Sequence, residues 1–254
     1  MTKKPWQLDP TTRFDDRADL YAKYRPSYPP EAIDCVLEGL ADPSRLAAAD
    51  LGAGTGILSR LIAERGVSVH AVEPNAQMRQ AAAAHERIRW FGASAETTTL
   101  DAESVELVVC GQAWHWFEPG AACREVARIA KPGARFALLW YDDLPGSAPS
   151  AEYRRIVEPG AKETFGIHAE EQWTPTLAPP LDKLRCERFE FAYSYRISLE
   201  GLIGRARSAS YVPHTGPDAE RLVREMTAMH ARFAEPGGLV TLGLLAIVHR
   251  FELE

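Results

Sequence analysis

The sequence of 254 residues lacks the features that mark secreted or membrane-bound proteins. Its four cysteines are scattered and form no CxxC pair, so we expect reduced thiols and a cytoplasmic location. No apolar stretch follows the two lysines near the N-terminus, which argues against a signal peptide. The longest apolar run, Leu239 to Val248, is interrupted by Thr241 and Gly243 and is shorter than the ~20 residues of a membrane helix. We therefore expect no membrane association.

Basic residues are also too few for a surface that binds nucleic acid. The formal net charge is −6 and the sequence pI is about 5.7, whereas proteins that bind phosphate backbones usually carry a basic stripe. We therefore expect no nucleic-acid partner. The hydrophobic fraction of 46% is sufficient for the core of a large α/β domain.

Apolar periodicity predicts five strands that alternate with helices up to residue 142. Because parallel strands need crossover helices, the alternation predicts a doubly wound α/β sheet. The predicted strands are Arg45–Asp50, Val67–Val72, Ile88–Gly92, Val105–Cys110 and Arg135–Tyr141. The predicted helices are Glu31–Asp42, Ile57–Gly66, Asn75–His85 and Pro119–Ala130.

The composition changes beyond residue 142. Stretches rich in proline, serine and glycine, DDLPGSAPS and TPTLAPPL, flank a helical pattern near Ala151–Phe165, which favours an insertion or cap. We then expect a strand at Cys186–Tyr195, helices near Leu199–Tyr211 and Asp218–Ala234, and a last strand, Leu239–Glu252, that enters the edge of the sheet in the antiparallel direction.

Residues 50–56, DLGAGTG, place three glycines at alternate positions where the first predicted strand ends. Such a density of glycine usually lets a ligand approach the main chain more closely than a Cβ would allow. No lysine follows Gly56, which excludes a P-loop, and Ile57 stands where a dinucleotide fingerprint needs its third glycine. Asp50 is the first residue of this stretch, and Glu73 stands at the end of the next predicted strand. The alternative is a tight strand-to-helix turn that binds nothing.

This pattern of acids and glycines resembles class I S-adenosylmethionine-dependent methyltransferases, over roughly residues 14–142 and more loosely beyond. The runs QAWHWF and YAKYRPSYP are similar to the small-molecule subgroup, methyltransferase type 11, which includes trans-aconitate methyltransferase-like enzymes. The resemblance implies a doubly wound, seven-stranded, mostly parallel Rossmann-like sheet with a helical cap insertion. It implies S-adenosyl-L-methionine as cofactor and S-adenosyl-L-homocysteine as product.

The same resemblance assigns roles in cofactor binding. The glycine loop would line the methionine part, Glu73 would hold the ribose, and Arg25 would reach the cofactor carboxylate or an acidic substrate. Ser94 stands where many members have aspartate, so Glu96 is a second candidate there, and Met78 is equally consistent with ordinary helix core. The residues implied in cofactor binding are Tyr24, Arg25, Asp50, Gly52, Ala53, Gly54, Thr55, Gly56, Glu73, Pro74, Met78, Ser94, Ala95, Glu96 and Gln112.

On this basis we expect four parts of the chain. Residues 1–44 form an N-terminal cap segment with the first helix, and residues 45–142 form the Rossmann-like cofactor-binding core. Residues 143–235 form a substrate cap insertion with an edge strand near 186–195. Residues 236–254 form a final edge strand of the core sheet.

The run after the fourth predicted strand, CGQAWHWFEP, is a candidate for the catalytic wall. Trp114 and Trp116 would exclude water and stack on the substrate or the sulfonium, and His115 would act as a general base. The alternative is two core tryptophans and a packing histidine. A base is needed only if the acceptor carries a proton, so the importance of His115 depends on the substrate class.

No metal is expected. Magnesium-dependent O-methyltransferases of this fold carry acids where the fourth and fifth strands end, but here the fourth strand ends in Cys110-Gly111-Gln112. Asp142-Asp143 alone would make a thin coordination sphere. The cap offers polar and aromatic candidates for substrate contact, and its arginines leave room for an anionic substrate. These candidates are Tyr153, Arg154, Arg155, Trp173, Arg205, Arg207, Tyr211 and His214.

The sequence therefore predicts a methyltransferase that acts on a small-molecule acceptor by in-line displacement, as a monomer or homodimer. The alternative is a protein of the same fold that binds S-adenosylmethionine or S-adenosylhomocysteine without catalysis. A nucleotide-dependent oxidoreductase is a third and more distant hypothesis.

Overall fold

The computed structural model describes residues 14–165 and 184–253. Seven of its strands form one sheet. In chain order they are β1 Ala47–Leu51, β2 Ser68–Val72, β3 Ile88–Phe91, β4 Val105–Gly111, β5 Ala130–Asp143, β6 Cys186–Ile197 and β7 Val240–Glu252. The helices are α1 Ala18–Tyr24, α2 Pro30–Leu37, α3 Ile57–Ala63, α4 Ala76–Gln80, α5 Pro119–Ile129, α6 Ala148–Phe165, α7 Leu199–Arg207 and α8 Pro217–Phe233.

The sheet has the order β3-β2-β1-β4-β5-β7-β6, which confirms the predicted doubly wound α/β fold. Strands β1 to β5 are parallel, and β7 is antiparallel to both of its neighbours. The strand order reverses at β1, because β2 lies on one side of it and β4 on the other. Ligands of open α/β sheets bind at such a switch point, beyond the carboxyl ends of the strands.

The predicted place of the last strand is wrong, because β7 lies inside the sheet and β6 forms its edge. β7 pairs with β5 from Arg135 to Asp143 and with β6 from Val240 to Phe251. The physical reason is its apolar composition. Alternate residues of β7 from Val240 to Val248 are buried, whereas β6 has no fully buried residue before Ile197. A strand this apolar is better accommodated in the sheet interior than at a solvated edge.

Two further boundaries differ from the predicted ones. Helix α4 ends at Gln80, well before the predicted end, so that the chain can turn back to pair β3 with β2. Tertiary pairing here overrides the helix propensity of the alanine run. Strand β5 begins at Ala130, which pairs with β4 five residues before the regular pairing starts at Arg135. The residues between them form a bulge.

Apolar residues fill both faces of the sheet. Successive residues of β4 contribute to opposite clusters, since Val108 belongs to the core under α5 and Val109 to the core under α2 and α3. A third cluster joins α6, α7, α8 and the start of β7 through Ile156, Leu202 and Met226. The cap insertion therefore has a core of its own.

Helix α1, which the sequence patterns did not predict, packs against α7. An added Cβ on Gly204 would lie 2.2 Å from the ring of Tyr24, so only glycine permits this close approach. The phenol of Tyr195 also donates to the main-chain oxygen of Tyr24 at 3.0 Å. These contacts hold the N-terminal helix over the carboxyl ends of the strands. Within the described ranges, no helix has the length and apolar character needed to cross a membrane.

Candidate functional site

A cavity of about 350 Å³, here called the main cavity, lies at the carboxyl ends of the parallel strands. Its size is within the range of small-molecule sites. The loops after β1 to β4 form one side of it. The end of β5, residues of α1, α6 and α7, and the loop after α7 form the other side. The core and the cap thus enclose one space together.

The glycine loop forms part of this wall with bare main chain. Gly52 and Gly54 both line the main cavity and both have positive φ, at 67° and 58°. A Cβ on Gly52 would lie 2.7 Å from the Cβ of Ala113, so packing alone requires glycine there. A Cβ on Gly54 would contact nothing closer than 3.5 Å, so it would take up cavity space without a clash. The loop is thus a cradle that side chains would fill.

Glu73, which follows β2, is held by two main-chain donors. Its Oε2 accepts from the nitrogen of Gly54 and its Oε1 from that of Asn75, each at 2.9 Å. The side chain lines the main cavity and the residue is 8% exposed. Burial raises its pKa, while the two main-chain bonds favour the charged form. A carboxylate has about four acceptor positions, so two remain for hydroxyl donors such as those of a ribose.

Asp50 lies near the end of β1, just before the first glycine of the loop. It lines a small cavity of about 30 Å³ that shares Arg25, Gly52 and Gln112 with the main cavity. Its Oδ2 accepts from Ser59 at 2.6 Å, but its buried Oδ1 has no hydrogen-bond partner among the described residues. Burial raises the pKa of Asp50 to about 7. An unpartnered buried carboxylate oxygen is costly, so this position fits a cationic ligand group such as an ammonium.

The residues assigned to the adenine end also line the main cavity. They are Pro74, Met78, Ser94, Ala95 and Glu96. Glu96 accepts from the main-chain nitrogen of Glu118 at 2.9 Å, so it also fixes the start of α5. The structure brings all five together with the glycine loop.

The QAWHWF run places its aromatic residues on different sides. Trp114–Trp116 is a single 3₁₀ turn, in which successive side chains point about 120° apart. His115 and Trp116 line the main cavity. Trp114 is 3% exposed and packs in the core, its ring centre 5.2 Å from that of Phe136. The structure therefore corrects the predicted catalytic role of Trp114, which is a core residue.

Electrostatics also constrain His115. Burial, with a smaller contribution from the nearby Arg25, lowers its pKa to about 3. The imidazole is therefore neutral at neutral pH and takes up a proton with difficulty. A general base works best when its pKa is near the operating pH, so His115 is poorly tuned for that role while the cavity holds no anion.

Some predicted cofactor residues do not reach the main cavity. The ring of Tyr24 packs on Gly204 and its hydroxyl bonds to Glu200, which corrects its predicted role. Tyr21, three residues earlier on α1, lines the cavity instead. The remaining predicted residues lie as follows: Ala53 lines only the small cavity, Thr55 is buried, Gly56 precedes α3 at φ 76° beside Trp90, and Gln112 lines both cavities.

The opposite side of the main cavity, here called the cap wall, consists of Tyr141, Tyr153, Arg154, Arg205 and Tyr211. The sequence argument missed Tyr141, although it follows from the same rule, because it lies near the carboxyl end of β5. Neither Arg155, Arg207 nor His214 lines the cavity, and the candidate Trp173 lies outside the described residues.

Arg25 links α1 to the cap wall. Its Nε donates to the hydroxyl of Ser208 at 2.9 Å, and its Nη1 donates to that of Tyr141 at 3.2 Å. Arg25 also lines both cavities. It therefore stands between the predicted cofactor region and the cap.

The two aspartates at the end of β5 are engaged with an arginine. Asp143 accepts from the Nε of Arg154 at 2.7 Å, and Asp142 bonds to the same guanidinium. In the described part of the chain, no group of three histidine, cysteine, aspartate or glutamate side chains could hold a metal ion.

Comparison with known proteins gives a consistent result. Residues 49–138 match a family model described as a methyltransferase domain. An uncharacterized methyltransferase from Mycobacterium tuberculosis is 42% identical over 134 residues, which are 52% of this chain and 53% of that protein. The chain thus spans about half the length of the curated relatives it matches.

Solved structures match over more of the chain. A protein named as a type II methyltransferase from Anaeromyxobacter dehalogenans is 26% identical, with a TM-score of 0.67 over 91% of this chain and 98% of that one. The Haemonchus contortus phosphoethanolamine N-methyltransferase 2, solved with S-adenosylhomocysteine, is 12% identical, with a TM-score of 0.53 over 97% of this chain and 59% of that one. At that identity it shows the fold alone.

Proposed function

We propose that the chain is a class I S-adenosylmethionine-dependent methyltransferase that transfers a methyl group to a small organic molecule bound in the main cavity. The observation that carries this proposal is the shared space. Gly54 and Glu73 line it on the core side, and Tyr153 and Arg205 line it on the cap side. A donor held by the loop would therefore face an acceptor held by the cap.

The loop residues fit the cofactor by their chemistry. Asp50 has an unpartnered carboxylate oxygen, which suits the ammonium of the methionine part. Glu73 has acceptor positions left for ribose hydroxyls, and Gly54 leaves room beside them. When bound, S-adenosylmethionine supplies a methyl group on a positively charged sulfonium.

The remaining task of the protein is alignment and exclusion of water, because the leaving group is already activated. Aromatic side chains suit this role, since they bury large apolar surfaces and can face a cation. Tyr21, Trp116 and Tyr141 line the main cavity. Phe14 closes against two of them, its ring centre 6.0 Å from those of both Tyr21 and Trp116.

The state of His115 bears on the kind of acceptor. Protonation at pH 7 of a group whose pKa is about 3 costs about 5 kcal/mol, since each pKa unit corresponds to 1.36 kcal/mol. A carboxylate acceptor needs no base, whereas a hydroxyl acceptor does. We therefore propose that His115 contributes packing and hydrogen bonding and does not act as the general base.

Two measurements test the proposed function. Calorimetric titration with S-adenosylhomocysteine should show one site per chain, while NAD should not bind. Incubation of an acceptor mixture with methyl-labelled S-adenosylmethionine should then yield labelled product. Binding without product from any acceptor would favour the non-catalytic alternative. Binding of NAD but not of S-adenosylhomocysteine would favour the oxidoreductase.

A further inference from the structure

Among the described residues, Arg205 on α7 is a buried cation that forms no ion pair with a carboxylate. The residue is 8% exposed and lines the main cavity. Its Nη1 has no hydrogen-bond partner among the described residues. Its guanidinium carbon lies 4.4 Å from the ring centre of Tyr153 and 5.9 Å from that of Tyr195. Aromatic faces offset part of the cost of burying a cation, but they do not replace a carboxylate.

The other charged groups near the cap wall already have partners. Asp143 is close enough to Arg205 to be affected by its charge, but its carboxylate bonds to Arg154, as does that of Asp142. Arg25 is hydrogen-bonded to two hydroxyls. Three arginines and two aspartates therefore share this region, and both aspartates pair with Arg154. Of the other two arginines, Arg25 has hydroxyl partners, whereas Arg205 has a buried nitrogen without a hydrogen bond among the described residues.

We propose that Arg205 binds a carboxylate group of the acceptor. This proposal rests on the proposed function and narrows its substrate class. The planar guanidinium matches a carboxylate in a bidentate geometry, and the interaction is strongest where water is excluded. An uncharged acceptor would leave Arg205 unpaired inside the main cavity and would bind more weakly.

The opposing explanation is that Arg205 only packs against Tyr153 and stabilises the cap. The two explanations differ in what a methionine at this position does. An isolated buried charge destabilises the fold, so its replacement by an apolar residue of similar length should not lower the melting temperature. If Arg205 only stabilises the cap, Arg205→Met would lose this stabilisation and would melt at a clearly lower temperature than the wild type.

The matched control is Arg207→Met. Arg207 lies on the same helix and also has a buried nitrogen, Nε, without a hydrogen-bond partner, but it does not line the main cavity. Arg205→Lys is a second variant, which keeps the charge and loses the planar fork. The probes are acetate and phenylacetate, each compared with its primary amide, on protein saturated with S-adenosylhomocysteine.

The expected result is that the carboxylates bind the wild type and Arg207→Met at least tenfold more tightly than the amides. Arg205→Met should lose this preference, Arg205→Lys should keep part of it, and the affinity for S-adenosylhomocysteine should stay within twofold in all three variants. Equal affinity of carboxylates and amides for the wild type, or no binding of either, would overturn the proposal. So would a preference that survives in Arg205→Met.

The failure of the two proposals can be told apart. If S-adenosylhomocysteine binds but carboxylates show no preference, the carboxylate site is wrong and the proposed function stands. If S-adenosylhomocysteine does not bind the wild type, the proposed function is wrong. The acetate-dependent rise in melting temperature of the wild type over Arg205→Met then still decides whether Arg205 binds a carboxylate.

Discussion

We predict that the buried Asp50 lowers the stability of the ligand-free protein and strengthens the binding of the ligand. Its pKa in the folded chain is about 7, compared with an ordinary value of 3.8. The folded protein therefore keeps a proton on Asp50 over a pH range in which the unfolded chain has lost it. Because the folded state binds more protons there, the free energy of unfolding falls as the pH rises from about 4 to about 7.

The size of this effect follows from the difference of about 3 pKa units. Each unit corresponds to 1.36 kcal/mol. Relative to low pH, the raised pKa therefore lowers the free energy of unfolding by about 4 kcal/mol above pH 7 and by about 2 kcal/mol at pH 5. Asp50→Asn removes this titration. We expect the stability of the variant relative to wild type to increase by about 2 kcal/mol between pH 5 and pH 8.

Urea denaturation of both proteins at the two pH values measures this difference. Taking the difference removes the contributions of groups that titrate alike in both proteins and of the constant change in side-chain volume. Asp50→Asn should also bind S-adenosylhomocysteine about 10-fold to 100-fold more weakly, because the ammonium loses a charged partner. A stability difference that is the same at pH 5 and pH 8 would refute the reasoning.

Three further changes test the site. Gly54→Val should abolish binding of S-adenosylhomocysteine in calorimetry, whereas Gly39→Val, at an exposed glycine of similar positive φ with open space around it, should add the same backbone strain and leave binding unchanged. Glu73→Gln should weaken the same binding by about 1–3 kcal/mol, since a charged acceptor is lost; unchanged affinity would place the ribose elsewhere. His115→Asn should leave that affinity within twofold and change the turnover by less than about threefold, because the low pKa makes His115 a poor base; a hundredfold loss would show that His115 takes part in the transfer step.

The fold, and the position of the glycine loop and Glu73 beside the main cavity, were largely predictable from the sequence. The acids and glycines of DLGAGTG and Glu73 lie within 24 residues of one another, and the geometry that joins them is local to β1, the loop and β2. Strand and helix alternation then predicts which ends of the strands meet. Local sequence therefore carries enough information to place these residues on one edge of the sheet.

The errors have a different origin. Whether Trp114 or Trp116 faces the main cavity depends on the phase of one 3₁₀ turn, and both residues have the same composition signal. The predicted cofactor role of Tyr24 failed for a similar reason, since the close packing of its ring on Gly204 is a tertiary contact that the sequence does not show. The interior place of β7 depends on its pairing with β6, a contact between segments more than 40 residues apart.

The two sides of the main cavity also differ in how freely they can change. The side formed by the glycine loop and Glu73 depends on main-chain atoms with positive φ and on a buried acid bonded to them. Most substitutions there would therefore disturb the backbone geometry and the binding of a ligand together. The cap wall consists of side chains from β5, α6, α7 and the loop after α7. Helices α6 and α7 belong to a separate hydrophobic core. A substitution at Tyr153 or Arg205 can therefore alter acceptor choice while the glycine loop keeps its shape. We expect acceptor specificity, but not the donor, to vary among proteins that share this arrangement.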